Sequence, residues 1–352
     1  MSYKVDPEKI RKFCAEAFLT VHLRPEYSFR IADNLLQAEL RGVRSHGLVQ
    51  IKNYLKQITE GKINRSPKIS ILRESDALLV IDGDNGPGSV TGTWAMEGCI
   101  EKAKLSGAAI ATVKNGTHFG MAAYYAMMAL KQDMIGIAAC TSPRLVSVYG
   151  GRSRELGTNP FCMAVPAGSS YPVVYDGATS EAAFNKIFFA LREGRKIPAS
   201  WAVDSDGNNT TDPAAAIGGT LLPFGSYKGS DISVLIYILC GLLSGAAVSE
   251  NSVNGKILEF PDQVGFSFCA IDVRQIQELQ IFKESVDCMI ERLKTSPIRV
   301  SSEKIYMPGE KEFLVKEKSL KCGIELGEGV WNDLKSVQGE YGVNISLEEC
   351  LL

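Results

Sequence analysis

The chain has 352 residues, 45% hydrophobic and 22% charged, a balance that supplies a sizeable core and excludes a disordered chain. Its 38 basic and 40 acidic residues leave a formal charge of −2, which gives no electrostatic reason to expect nucleic acid or an anionic membrane as partner. The 33 Gly follow no collagen-like period, and only three residues are His, so imidazole chemistry rests on His22, His46 and His118. At about 150 residues per domain the length suggests roughly two domains.

In chain order, Asp6-Pro7-Glu8 reads as a helix cap, a first-position proline and an acidic first turn, followed by Ile10, Phe13, Cys14, Ala17 and Val21 at helical spacing. A second helix is expected from Pro25 to a break near Gly42. A third is expected from Ser45, as its cap, to about Ile58. The period then changes. Strands are predicted at Lys68–Leu72 and Ala77–Ile81, followed by a glycine-rich loop, residues 82–88. Beyond Val90 helices and strands alternate. Helices are expected at about 90–105, 121–130, 180–194 and 275–294, and near the C-terminus. Strands are expected at Ala108–Val113, Met134–Ala139, Phe161–Val165, Val173–Tyr175 and Val264–Ile271.

The apolar run Ile232–Val248 is 17 residues long, at the short edge for a membrane span, and contains Ser, Cys and Gly, so a buried core helix is expected. The N-terminus has no apolar signal segment. Nine Cys without a C-x-x-C pair give no zinc pattern and read as reduced thiols of a cytoplasmic protein. No metal site is expected.

A Rossmann fingerprint is absent: Gly83, Gly86 and Gly88 have the wrong spacing. Two other glycine-flanked turns lead into expected helices and offer backbone N–H groups to a phosphate: Asp176–Ser180 and Pro223–Gly229, the latter with Lys228. His46 lies in Arg41–Gly47 beside Ser45, and His118 in Asn115–Gly120, both at glycine-bracketed junctions that suit an exposed imidazole. His22 reads as a helix C-terminal residue. No G-x-S-x-G elbow supports a hydrolase.

Several stretches in order, among them Leu40–Gly47, Asn115–Gly120, Leu156–Pro160, Asp176–Ser180, Leu221–Gly225, Tyr227–Gly229 and Pro308–Glu310, resemble the malate/L-lactate dehydrogenase family that is unrelated to the Rossmann dehydrogenases. The resemblance covers nearly the whole chain. It implies a mixed α/β (α+β) fold with a non-Rossmann NAD(P)-binding domain, residues 76–289. A helical substrate domain would be built from both termini, 1–75 with about 290–352. It further implies NAD or NADP as cofactor, a homodimer, a small carboxylate-type substrate, and reduction of a 2-oxo acid or cyclic 2-imino acid. By motif, His46 and His118 are the candidates for proton transfer, with Ser45 beside them. Gln50, Tyr54 and Ser142 are assigned to the substrate. Asp176, Gly177, Ala178, Thr158, Asn159, Lys186, Lys228, Gly229, Pro308, Gly309 and Glu310 are assigned to the cofactor.

An imidazolium near neutrality can donate the proton that follows hydride addition to a carbonyl. Which His donates stays open. The chain departs from the family at Gln50, where an Arg for the substrate carboxylate is usual. Gln lacks the charge and the guanidinium fork, which implies an atypical substrate, with Lys52 or Arg144 as replacement cations. The competing expectation is a catalytically weak homologue that binds nucleotide or a protein partner.

Overall fold

A computed structural model describes residues 2–247 and 264–352. A short strand, β1 (Ser2–Val5), leads into α1 (Pro7–Thr20), whose cap is Asp6: the carboxylate accepts the backbone N–H of Glu8 and Lys9. Then follow α2 (Pro25–Leu40), two 3₁₀ turns (Arg44–His46 and Leu48–Gln50) and α3 (Ile51–Thr59). The central part runs β2 (Ser70–Ser75), β3 (Leu78–Asp82), α4 (Gly88–Ser106), β4 (Ala108–Gly116), α5 (Ala122–Leu130), β5 (Met134–Cys140), β6 (Phe161–Val165) and β7 (Val173–Gly177). Next come α6 (Phe184–Arg192), β8 (Ala202–Val203), α7 (Pro213–Gly218), β9 (Thr220–Leu221) and α8 (Tyr227–Ile236), which continues as a π-helical turn over Tyr237–Leu242. The chain closes with β10 (Val264–Asp272), α9 (Leu279–Lys294), α10 (Glu310–Cys322), β11 (Ile324–Gly327) and α11 (Glu328–Tyr341).

Seven strands form one mixed sheet in the order β2-β3-β4-β10-β5-β6-β7, with β3 and β4 parallel and every other neighbour antiparallel. The fold is therefore mixed α/β, as expected. Its central core joins the sheet to α4 and α5 through Met96, Tyr125, Phe119, Phe266 and Phe268. A second core is built from both ends of the chain: Ile10, Phe13 and Phe18 of α1 and Leu35 of α2 meet Ile324, Trp331 and Leu334. Its N-terminal strand pairs with β11, so the two termini share a small antiparallel ladder.

Three expectations are corrected. Ser45 does not cap a helix; α3 begins only at Ile51, after the 3₁₀ turns. Asp176–Ser180 does not run into a helix: Asp176 and Gly177 end β7, and α6 starts at Phe184. The apolar run is not a buried core helix either. Ile236 and Cys240 pack on the sheet, whereas Leu235, Leu239 and Leu243 are 59%, 47% and 63% exposed. A sequence that is apolar all round hides which face is covered. Val248 lies outside the described residues. No helix among them is long and apolar enough to cross a membrane.

Candidate active site

A cleft of about 630 Å³ opens where the turn after α2, the start of α5, the end of β7, the start of α6 and the residues before α10 converge. That volume falls in the range of about 300–1,000 Å³ typical of small-molecule sites.

His46 enters from the first 3₁₀ turn. Its position follows from Glu39, which is buried in the last turn of α2 and accepts the backbone N–H of Leu48 at 2.9 Å. A Cβ on Gly47 would collide with the Glu39 carboxylate, so this turn tightens only around glycine. Ser45 Oγ lies 2.9 Å from His46 Nδ1, and Gln50 Nε2 donates to the Ser45 carbonyl at 2.9 Å. Gln50 thus braces the backbone of the turn while its side chain lines the cleft.

His118 enters from the junction of β4 and α5. Gly120 has φ +79°, and a Cβ there would strike the amide of Asn34, which is buried and donates to the Phe119 carbonyl. Tyr54 Oη is 2.5 Å from His118 Nδ1, reaching from α3 behind the imidazole. The two imidazoles stack, with centroids 5.5 Å apart and planes 12° from parallel. Burial lowers the pKa of His46. Burial, with His46 adding to it, lowers that of His118 to about 3. A proton on one ring disfavours a proton on the other, so the pair holds one proton at most near neutrality.

Opposite stands Asp176, on the cleft wall at the end of β7. Its carboxylate accepts the N–H of Ala123, in the first turn of α5, where the helix dipole favours an anion. The side chain is open to the cleft yet has protein closely around it. Burial pushes its pKa up to about 6, against the pull of the Ala123 N–H and Arg41.

The structure gathers Ser45, His46, Gln50, His118, Ser142 and Thr158 on one cleft, together with Asp176, Gly177, Ala178, Lys186, Pro308 and Gly309. Ser142 Oγ receives the backbone N–H of Thr158 at 2.8 Å. The other assigned residues stand outside the lining. Tyr54 lies behind His118. Asn159 is fully buried; its amide donates to Ser233 Oγ (2.9 Å) and the Ser233 carbonyl (3.1 Å), and its Oδ1 accepts the backbone N–H of the cleft residue Ser142 at 3.2 Å. Lys228 is exposed and Gly229 buried in the first turn of α8. Glu310 is buried and receives Lys294 Nζ (2.8 Å) and the Met307 N–H (3.0 Å), a clamp beneath the Pro308-Gly309 edge.

Neither proposed replacement cation lines the cleft; Lys52 donates to Ser336 Oγ at 2.7 Å on the far side of α3. Two side-chain cations do line it, Lys186 and Arg41; Arg41 and the neighbouring Glu312 were not singled out from the sequence. Arg41 closes an apolar helix ahead of Gly42, a place where a basic residue reads as complementing the helix dipole. Among the described residues no group of three or more His, Cys, Asp or Glu is placed to hold a metal ion. Cleft size, the Lys186 ammonium, the Asp176 carboxylate and a buried Arg41 Nη without a hydrogen-bond partner fit an elongated, polar, anionic ligand such as a nicotinamide dinucleotide.

Residues 5–335 match the model of the family described as malate/L-lactate dehydrogenase. A malate dehydrogenase of Pyrococcus horikoshii is 37% identical over 348 residues, covering 97% of this chain and 96% of its own length. An L-sulfolactate dehydrogenase of Methanocaldococcus jannaschii is 38% identical over 339 residues, covering 96% and 97%. The crystal structure of a malate dehydrogenase from Entamoeba histolytica superposes with a TM-score of 0.90 at 31% identity, covering 97% of this chain and 99% of that one. The chain belongs to the malate/L-lactate dehydrogenase family and is an oxidoreductase of that family.

Proposed function

We propose that the cleft carries out an NAD(P)-dependent reduction of a 2-oxo acid, and the reverse oxidation of the 2-hydroxy acid, with cyclic 2-imino acids as the alternative substrate class. The stacked pair His46 and His118, facing Asp176 and Lys186 across one cleft, is the observation that carries this reading. NADH or NADPH would be held by Asp176, Gly177, Ala178, Lys186, Pro308 and Gly309, and when bound it supplies the hydride.

The chain's own groups do the rest. Nδ1 of His46 is engaged by Ser45, which leaves Nε2 to give a proton to the oxygen that gains charge. His118, with Nδ1 engaged by Tyr54, positions the neighbouring ring and keeps a second proton off the pair. Ser142 offers its hydroxyl to the substrate's oxygens, and Thr158, whose Oγ1 lies 3.0 Å from it, shapes the cofactor pocket.

The 2-hydroxy acids in the names of the two relatives, malate and sulfolactate, each bear a second anionic group, and a substrate of that kind suits this cleft. Gln50 is neutral and bound to the Ser45 carbonyl, which supports a carboxylate held differently from the usual pattern. The same observation favours the second reading, a nucleotide-binding homologue with weak turnover.

We also propose that a helical unit of residues 1–75 and about 290–352 faces a cofactor unit of 76–289 across the cleft, supported by the core that both termini share. A homodimer is supported by the exposed apolar stripe Leu235, Leu239 and Leu243.

The test is titration of the protein's effect on NADH and NADPH fluorescence, followed by turnover on a panel of 2-oxo and cyclic imino acids. Binding with turnover is expected. Binding without turnover on any of them selects the second reading, and binding of neither nucleotide refutes both.

A further inference from the structure

We infer that Arg41 is an oxyanion anchor of this cleft, its guanidinium receiving either the substrate's carboxylate or a phosphate of the dinucleotide. The inference rests on the function proposed above and adds a residue to it. Arg41 follows the last residue of α2 and is only 3% exposed, yet it lines the cleft. One of its Nη atoms is buried with no hydrogen-bond partner. Among the described residues no carboxylate forms an ion pair with it. A guanidinium nitrogen stripped of water and left without an acceptor is costly unless a ligand supplies one.

Its orientation is fixed as well. The guanidinium stacks over the Phe313 ring, 4.2 Å from the centroid. Burial works against its charge, while Glu312 and Asp176 favour it from a distance. A plain helix-terminal cation would complement the dipole from solvent; this one is turned inward. Lys186, the other cation of the lining, stands over Trp201 at 5.8 Å, and Gln50 brings no charge. Carboxylate and phosphate both present two oxygens at a spacing that matches the guanidinium fork, and a lysine ammonium does not reproduce that geometry.

Arg41→Gln and Arg41→Lys, each checked for fold by circular dichroism and thermal midpoint, test this. The readouts are the NADH and NADPH dissociation constants without substrate, and KM and kcat on a 2-oxo acid that the wild type reduces. Arg41→Gln should weaken one of the two affinities by at least about tenfold, with Arg41→Lys recovering only part of it. A loss in the nucleotide dissociation constant identifies the phosphate. A loss in KM with nucleotide binding intact identifies the carboxylate. A folded Arg41→Gln with both affinities within about twofold of wild type overturns the inference. If Arg41→Gln does not fold, Arg41→Lys decides by the same readouts.

Should the wild type bind no nicotinamide nucleotide, the function proposed above falls while the anchor is still read directly. Inorganic pyrophosphate or oxalate then raises the thermal midpoint of the wild type and leaves that of the Arg41 variant unmoved. Equal responses overturn the anchor.

Discussion

Replacing Glu310 with Gln removes the charge that fastens the Pro308-Gly309 edge of the cleft. The residue is 4% exposed, and its carboxylate receives Lys294 Nζ (2.8 Å), Lys304 Nζ (3.2 Å) and the Met307 N–H (3.0 Å). Burial alone would raise its pKa; the bonds from Lys294, Met307 and Lys304 outweigh burial and bring it to about 2. A carboxyl whose pKa is depressed by folding stabilises the native state above its unfolded value of about 4.3, and that stabilisation is lost as pH falls from there towards about 2. The full shift corresponds to about 3 kcal/mol. The two lysine side chains are 32% and 49% exposed, so water screens them and about 1–2 kcal/mol is the fitting expectation. In urea unfolding at pH 7, Glu310→Gln should therefore lower the midpoint by about 0.5 M, and the gap should narrow at about pH 3.5. Equal midpoints at pH 7, or a gap that widens as pH falls, would refute the clamp.

Tyr54→Phe leaves His118 Nδ1 without its buried partner, beside a void of about 10 Å³, barely the size of a water. It should cost about 1–3 kcal/mol in urea unfolding and lower kcat while nucleotide affinity stays within about twofold. Because burial lowers the pKa of both His46 and His118, the imidazolium is scarce at neutrality. In pH–rate profiles, kcat/KM for 2-oxo acid reduction should rise as pH falls from about 8 towards about 6.5, whereas the oxidation, which needs neutral imidazole, should stay flat over that interval. Asp176 gains its proton near pH 6, so Asp176→Asn should flatten the dependence of the NADH dissociation constant between about pH 5 and 7, measured by fluorescence titration.

What the sequence made legible is what local chemistry decides. Asp6-Pro7 announces α1 because cap and first turn lie within three residues, and β6 shows its period over Phe161–Val165 without help from elsewhere. The sequence offers no sign of the pair β1 and β11, because two four-residue segments far apart in the chain acquire strand structure only through each other. The start of α3 was misplaced because Glu39, several residues earlier, takes the Leu48 N–H and turns the segment into 3₁₀ geometry. The two imidazoles were legible as types in glycine-bracketed turns, but their stacking depends on the 3₁₀ turn after α2 meeting the junction of β4 and α5. Nothing in the local sequence marks Arg41 as a cleft residue; the packing of Phe313 against its guanidinium and its place in the lining show that it turns inward.

The central claim is that the cleft reduces a 2-oxo acid with His46 as proton donor. Its most direct measurement compares wild type and His46→Ala for NAD(P)H affinity and for turnover of a 2-oxo acid that the wild type reduces. The account predicts affinity within about twofold of wild type and turnover lower by about 10²–10⁴-fold. Wild-type turnover in His46→Ala would contradict it.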